Sequence, residues 1–279
     1  MEISIIGVGV MGKDIAILLS QSKRIQKINL ISTHSNFKKK QVDFKNYLKE
    51  KNISLKKRYE TSEFKKIKLT NNIKNIKNNN FLIETIIEDN EKKRNLIEEL
   101  NKYIGHETLL FSNSSSLNLR DLQTHFKFQE NFYGMHFFNP VTHTKLVELI
   151  YMDEKQKETL KFYKDLLLNI KRQVVIIKFF PGYIVNRILL AQINEACYIL
   201  ENNVSTIKEI DDAYKAATSN FKGPFQISDL IGNDVVLSML NNLYSQTRDS
   251  KFKPNQILQK MVKNDRLGNK TKTGFYKNL

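Results

Sequence analysis

Cysteine is almost absent from this chain of 279 residues. The single one, Cys197, excludes an intramolecular disulfide and a cysteine-based metal cluster, and a reducing, cytoplasmic setting fits best. Long apolar runs are missing as well: FLIETII at 81–87 and VVII at 174–177 fall far short of the ~20 residues that a membrane span requires. Residue 3 already begins an apolar, strand-like run, so neither a membrane partner nor a signal or transit peptide is expected. Acidic residues are scarce, 29 against 45 lysines and arginines, which leaves a net charge of +16. Such a balance raises nucleic acid as a partner. No zinc-finger spacing, RNA-binding aromatic pair or helix-turn-helix signature accompanies it, and the lysines travel with asparagine and isoleucine, as in KLTNNIKNIKNNN at 68–80. No nucleic-acid partner is therefore expected; a polyanionic small molecule accounts for the surplus equally well. The hydrophobic share of 41% suffices for a sizeable core in one large or two ordinary domains.

The amino end has its own logic. ISII at 3–6 has the pattern of a buried strand, GVGVMG at 7–12 follows at once, and KDIAILLSQ continues with Ile15, Leu18 and Leu19 at helical spacing. A second strand, INLIS, covers 28–32. In a strand–turn–helix–strand unit Gly7 permits the tight turn, Gly9 lets the backbone approach a pyrophosphate, and Gly12 allows the helix to pack closely on the strand. The diphosphate of a nucleotide would sit on the helix N-terminus. The position ending the second strand, where an acidic residue ordinarily holds the ribose hydroxyls of NAD, is Ser32, followed by Thr33, His34, Ser35 and Lys38 to Lys40. Without a carboxylate, the repulsion that excludes a 2′-phosphate is gone, so both NAD and NADP are compatible with the turn.

Residues 36–66 read as a long lysine-studded helix or helical hairpin with Val42, Leu48 and Leu55 turned inward. FLIETIIED at 81–89 reads as a buried strand closing on Glu84, Glu88 and Asp89. A helix over 91–104 with Leu96, Leu100 and Ile104 on one face follows, then a strand TLLFSN at 108–113. Alternating strands and helices predict a parallel, doubly wound sheet, in which ligands bind beyond the carboxyl ends of the strands. The serines 112 and 114–116 lie at such an end with Asn113. Each could cap a helix beginning near Leu117; together they are placed to donate hydrogen bonds to a substrate. Further on, FYGMHFF at 132–138 reads as a strand, Asn139-Pro140 as a turn, and KLVELI at 145–150 as the next strand. His136 and Glu148 would then lie on adjacent strands. A buried glutamate needs a partner, and one bonded to an imidazole fixes its tautomer, which is how a general base is oriented.

GVGVMG, SNSSSL, GMHFFNPVTHTKLVELI, PGYIVNR with NEA soon after, KGPFQISDLIGND and LGNKTKTGFY stand in an order and spacing that resembles the 3-hydroxyacyl-CoA dehydrogenase family, including its short-chain 3-hydroxybutyryl-CoA members, over nearly the whole chain. The resemblance implies an α/β fold class: a Rossmann-type doubly wound sheet over 1–180, then an all-helical domain over 181–279 that builds a homodimer. Pro181-Gly182 and the helical periodicity resuming at YIVNRILLAQINEACYIL support a break there independently. It further implies an acyl-CoA thioester substrate and a nicotinamide cofactor lying along Gly7, Gly9, Val10, Met11 and Gly12, near Ser32. By matching motif, His136 resembles the catalytic base, Glu148 its partner, Ser115 the serine that bonds the substrate's 3-oxygen, and Asn186 the asparagine that holds the acyl portion. Glu88, Lys93 and Lys270 match residues on the nicotinamide side, where Ser115 also lies. Departures are Ser114 for the usual threonine, Thr142 for a second proline, and Ser32. A related enzyme acting on an acyl-carrier-protein thioester, and a non-catalytic nucleotide-binding homologue, are the alternatives.

Overall fold

The computed structural model describes residues 1–33, 36–56, 59–77 and 79–277. Eight strands form one sheet: β1 (Glu2–Ile6), β2 (Lys27–Ile31), β3 (Ile67–Thr70), β4 (Phe81–Glu84), β5 (Leu109–Ser112), β6 (Phe132–Phe137), β7 (Leu146–Tyr151) and β8 (Gln173–Lys178). Their order is β3-β2-β1-β4-β5-β6-β7-β8. The first six in chain order run parallel, the doubly wound arrangement; β7 is antiparallel to β6, and β8 is parallel to β7. Ile3, Ile5, Leu30, Ile83, Phe111 and Leu149 are fully buried in its core, as expected of strands covered on both faces.

Among the described residues, five α-helices connect these strands: α1 (Val10–Ser20), α2 (Phe37–Leu55), α3 (Asn90–Leu100), α4 (Leu119–Thr124) and α5 (Lys157–Leu168). Several expectations from the sequence need correction. First, α1 begins at Val10, so Val10, Met11 and Gly12 form its first turn. Second, Val42 is not an inward position: it is 58% exposed, because successive helical residues turn by about 100° and the buried face of α2 is set by Phe44, Leu48 and Leu55, with Val42 turned away from them. Third, the 81–89 segment leaves the sheet at Glu84, and Ile87 is 65% exposed. The helix expected over 91–104 ends at Leu100, with Ile104 beyond it. β3 lies inside the lysine- and asparagine-rich stretch and was not foreseen. Its four residues pair in register with Ile28–Ile31. α2 is latched to α1 where the Tyr47 hydroxyl donates to Asp14 at 2.5 Å, Lys51 approaches the same carboxylate at 3.3 Å and the Lys13 ammonium lies over the Tyr47 ring.

The chain divides into two compact units, Met1–Phe179 and Phe180–Leu279. The second is helical: α6 (Val185–Glu201), α7 (Ile207–Thr218), α8 (Pro224–Ile231), α9 (Asn233–Thr247) and α10 (Gln256–Lys263). Leu190, Ile193, Phe225, Leu240, Phe252 and Leu258 make its core. Cys197 is part of that packing, and burial pushes its thiol up to about 12, so it is not a nucleophile near neutral pH. Two buried aspartates fasten the segments that carry little periodic structure. Asp211 accepts from the Phe225 and Gln226 amides and the Tyr276 hydroxyl. Asp229 accepts from the amides of Phe275 and Tyr276 and from Asn233 Nδ2, each at 2.9 Å. Among the described residues no helix is long and apolar enough to cross a membrane.

Candidate active site

The carboxyl ends of the parallel strands converge on the glycine turn. Gly7 has φ +119°, and a Cβ on it would stand 2.7 Å from the Thr85 backbone. A Cβ on Gly12 would stand 2.0 Å from the Gly7 carbonyl, whereas one on Gly9 would meet nothing within 4 Å. The first and third glycines are therefore demanded by close packing, and the second leaves room above the turn. Gly9 also N-caps α1 with no side-chain hydrogen bond, so the first-turn amides face that space without a capping side chain. A diphosphate fits this cradle in size and in charge.

Beside the turn, β4 and β5 end in a buried polar network. Glu84, fully buried, accepts from Lys93 Nζ at 2.6 Å through one oxygen and from the Ser112 hydroxyl at 2.7 Å through the other. Lys93, 1% exposed, also reaches Glu88 at 3.5 Å. Glu88 in turn accepts from the Ser114 hydroxyl at 2.7 Å and from the Ser115 and Ser116 amides at 2.8 Å each. This corrects the capping expectation for the serines: Asn118 caps α4, while the serine turn wraps the Glu88 carboxylate. Burial works against the charged form of Glu88, but Lys93 and the bonds from Ser114, Ser116 and Ser115 outweigh it and hold its carboxyl below the ordinary 4.5. Because the folded value is depressed, the stabilisation is present above 4.5 and is lost as pH falls through the lowered value. Acidification below 4.5 should thus loosen the turn first, read as lost amide-exchange protection at Ser115 and Ser116. Glu88→Gln should show the same loss at neutral pH, and equal protection in both proteins would refute the coupling.

Sequence reading assigned no role to Glu84. Its signal was available: an acid at the end of the apolar run FLIE requires a buried partner, and Lys93 follows one helical entry later.

β6 and β7 supply the titratable pair. His136 and Glu148 are direct partners in the antiparallel ladder, so their side chains share one face. His136 Nδ1 and Glu148 Oε2 are 2.8 Å apart, with His136 4% and Glu148 0% exposed. A carboxylate can only accept, so Nδ1 carries the proton and Nε2 is the basic nitrogen. Asn113 ties this strand to the serine turn, its Oδ1 accepting from the Phe137 amide at 2.9 Å. Glycine turn, Glu88, Lys93, Ser115 and the His136–Glu148 pair thus all lie at the carboxyl edge of the first unit.

The remaining sequence-derived positions stand elsewhere. Ser32 is buried just past β2, its amide donating to the Thr70 carbonyl at 2.8 Å; His34 and Ser35, named after it in the sequence, lie outside the described residues. Asn186 and Lys270 belong to the second unit. Asn186 is buried in the first turn of α6, and Lys270 pairs with Asp234 at 2.7 Å.

Comparison with known proteins accords with this architecture. Residues 2–179 match the family model for the 3-hydroxyacyl-CoA dehydrogenase NAD binding domain, and residues 182–278 match that for its C-terminal domain. A 3-hydroxybutyryl-CoA dehydrogenase of Clostridioides difficile is 38% identical over 74% of this chain and 74% of its own. A probable 3-hydroxyacyl-CoA dehydrogenase of Caenorhabditis elegans is 31% identical over 99% of this chain and 92% of its own. The crystal structure of (S)-3-hydroxybutyryl-CoA dehydrogenase from Ralstonia eutropha superposes with a TM-score of 0.89 at 27% identity, covering 100% of this chain and 99% of that one. With both family models matched end to end behind a glycine cradle and a buried His–Glu pair, the chain belongs to the 3-hydroxyacyl-CoA dehydrogenase family.

Proposed function

We propose that the protein interconverts a 3-hydroxyacyl-CoA and the corresponding 3-oxoacyl-CoA, with His136 as the group that takes and returns the hydroxyl proton. The observation that carries this reading is the buried 2.8 Å contact between His136 Nδ1 and Glu148 Oε2 at the strand ends where a substrate would lie. A bound nicotinamide dinucleotide supplies the acceptor, and in reverse the donor, of the hydride at the carbinol carbon. The glycine turn holds its diphosphate, with Val10 and Met11 in the helical turn that follows. His136 Nε2 removes the hydroxyl proton during oxidation and protonates the developing alkoxide during reduction. Glu148 holds the ring and balances the imidazolium. Ser115, on the turn fixed by Glu88, donates to the 3-oxygen, where charge develops; one such donor is worth about 2.7–4 kcal/mol. By resemblance, Glu88, Lys93 and Lys270 serve the nicotinamide side and Asn186 the acyl portion.

The second unit is assigned to homodimer formation. Ile188 and Tyr198 are more than half exposed on α6, beside a groove of about 830 Å³ lined by Ala191, Ile199, Ile210 and Tyr214; apolar surface of this kind favours a partner.

The test is reduction of acetoacetyl-CoA followed at 340 nm with NADH and with NADPH. Turnover dependent on the thioester with one or both is expected. No absorbance change with either would end this reading.

A further inference from the structure

Resting on that reading, we infer that the cofactor is the 2′-phosphorylated dinucleotide, NADP, with its 2′-phosphate seated in a recess between the start of α2 and the end of β3. In this fold the carboxyl end of the second strand meets the adenosine ribose. An acid there accepts from the ribose hydroxyls, and its charge turns a 2′-phosphate away. Here Ser32 occupies that point, and the vacancy of negative charge extends well past it: no aspartate or glutamate occurs from 30 through 42 or from 69 through 80. The Ser32 amide donates to the Thr70 carbonyl, which brings those two acid-free segments together. Against them lies an open recess of about 560 Å³ lined by Asn36, Phe37, Lys38 and Asn71.

The lining chemistry suits a dianion. Lys38 brings an ammonium group, and Asn36 and Asn71 bring carboxamides. Lys39 and Lys40 follow on the same helix, and among the described residues none of the three lysines forms an ion pair with a carboxylate. The surplus continues toward the glycine turn: Lys13 is held below the ordinary lysine range, first by partial burial and next by repulsion from Lys40. NAD places a neutral ribose hydroxyl among these cations; the 2′-phosphate offers them charge-assisted hydrogen bonds.

Calorimetric titration of the full chain with NADP and NAD, and with adenosine 2′,5′-bisphosphate and 5′-AMP, reads the inference without turnover. The 2′-phosphorylated member of each pair should bind at least about tenfold more tightly, one charge-assisted contact being worth that much, and the gap should narrow as salt screens it. Lys38→Gln should shrink the NADP-to-NAD preference. Ser32→Asp should reverse it, and where that buried substitution impairs folding, Lys38→Gln decides. Equal or tighter binding of NAD overturns the inference while leaving acetoacetyl-CoA reduction with NADH intact. A preference unmoved by the substitutions places the phosphate outside this recess and overturns it too. Loss of turnover with both cofactors would instead remove the proposed reaction, with the binding ratio still reading the recess.

Discussion

His136→Gln is expected to slow acetoacetyl-CoA reduction by about 10³-fold, the middle of the range for a positioned acid–base group, with cofactor binding measured by calorimetry largely retained. Glutamine cannot carry the proton between substrate and solvent, so the chemical step loses its acid. Its carboxamide still donates a hydrogen bond, so the buried Glu148 oxygen, 2.8 Å from the imidazole in the native protein, keeps a partner and the fold is spared an unpaired charge. Glu148→Gln should retain more rate than His136→Gln, because the ring stays and loses only its counter-charge. A His136→Gln protein within about tenfold of the native rate would show that the proton comes from elsewhere. Equal loss of rate and of cofactor affinity would make the residue a structural one.

Asp229→Ala is expected to produce the largest loss of stability among single substitutions in the second unit, about 3 kcal/mol or more. Its carboxylate is 1% exposed and accepts from the amides of Phe275 and Tyr276 and from Asn233 Nδ2. Alanine leaves these donors buried with no acceptor, each costing about 1–3 kcal/mol. Denaturant unfolding followed by tyrosine fluorescence would report it, and Asp229→Asn, which keeps an acceptor oxygen, should recover part of the loss. A midpoint within experimental error of the native one would mean that the GFY segment is held by its apolar contacts alone.

What could be seen beforehand divides along a physical line. Features written in local order were legible: GVGVMG behind a strand and before a helix, the alternation of elements through Ser112, and the facing of His136 and Glu148, which follows from two strands joined by a short connection. Features set by distant partners were not. β3 is four residues long inside a run of lysine, asparagine and isoleucine, and only pairing with β2 makes it a strand. Val42 matches an apolar pattern, but the burial of Phe44 and Leu48 decides which way α2 faces. The serine turn carries the composition of a helix cap, yet the Ser114 hydroxyl and the Ser115 and Ser116 amides are claimed by Glu88, 26 to 28 residues earlier in the chain. Asp229 sits in a motif visible in the sequence, but its bonds reach 46 residues onward, and no periodicity announces a tie of that length.

The antiparallel run of β7 beside β6 has a bearing on how this enzyme tolerates change. Side chains alternate between the two faces of a sheet, so a one-residue deletion between Phe138 and Lys145 that shifted the pairing would bring Val147 or Leu149 opposite the imidazole in place of the acid. The spacer between these strands is therefore a gauge of fixed length. Its residues can be exchanged with modest effect, but its count cannot, and loop grafts of unequal size should yield folded protein that has lost the His136–Glu148 contact.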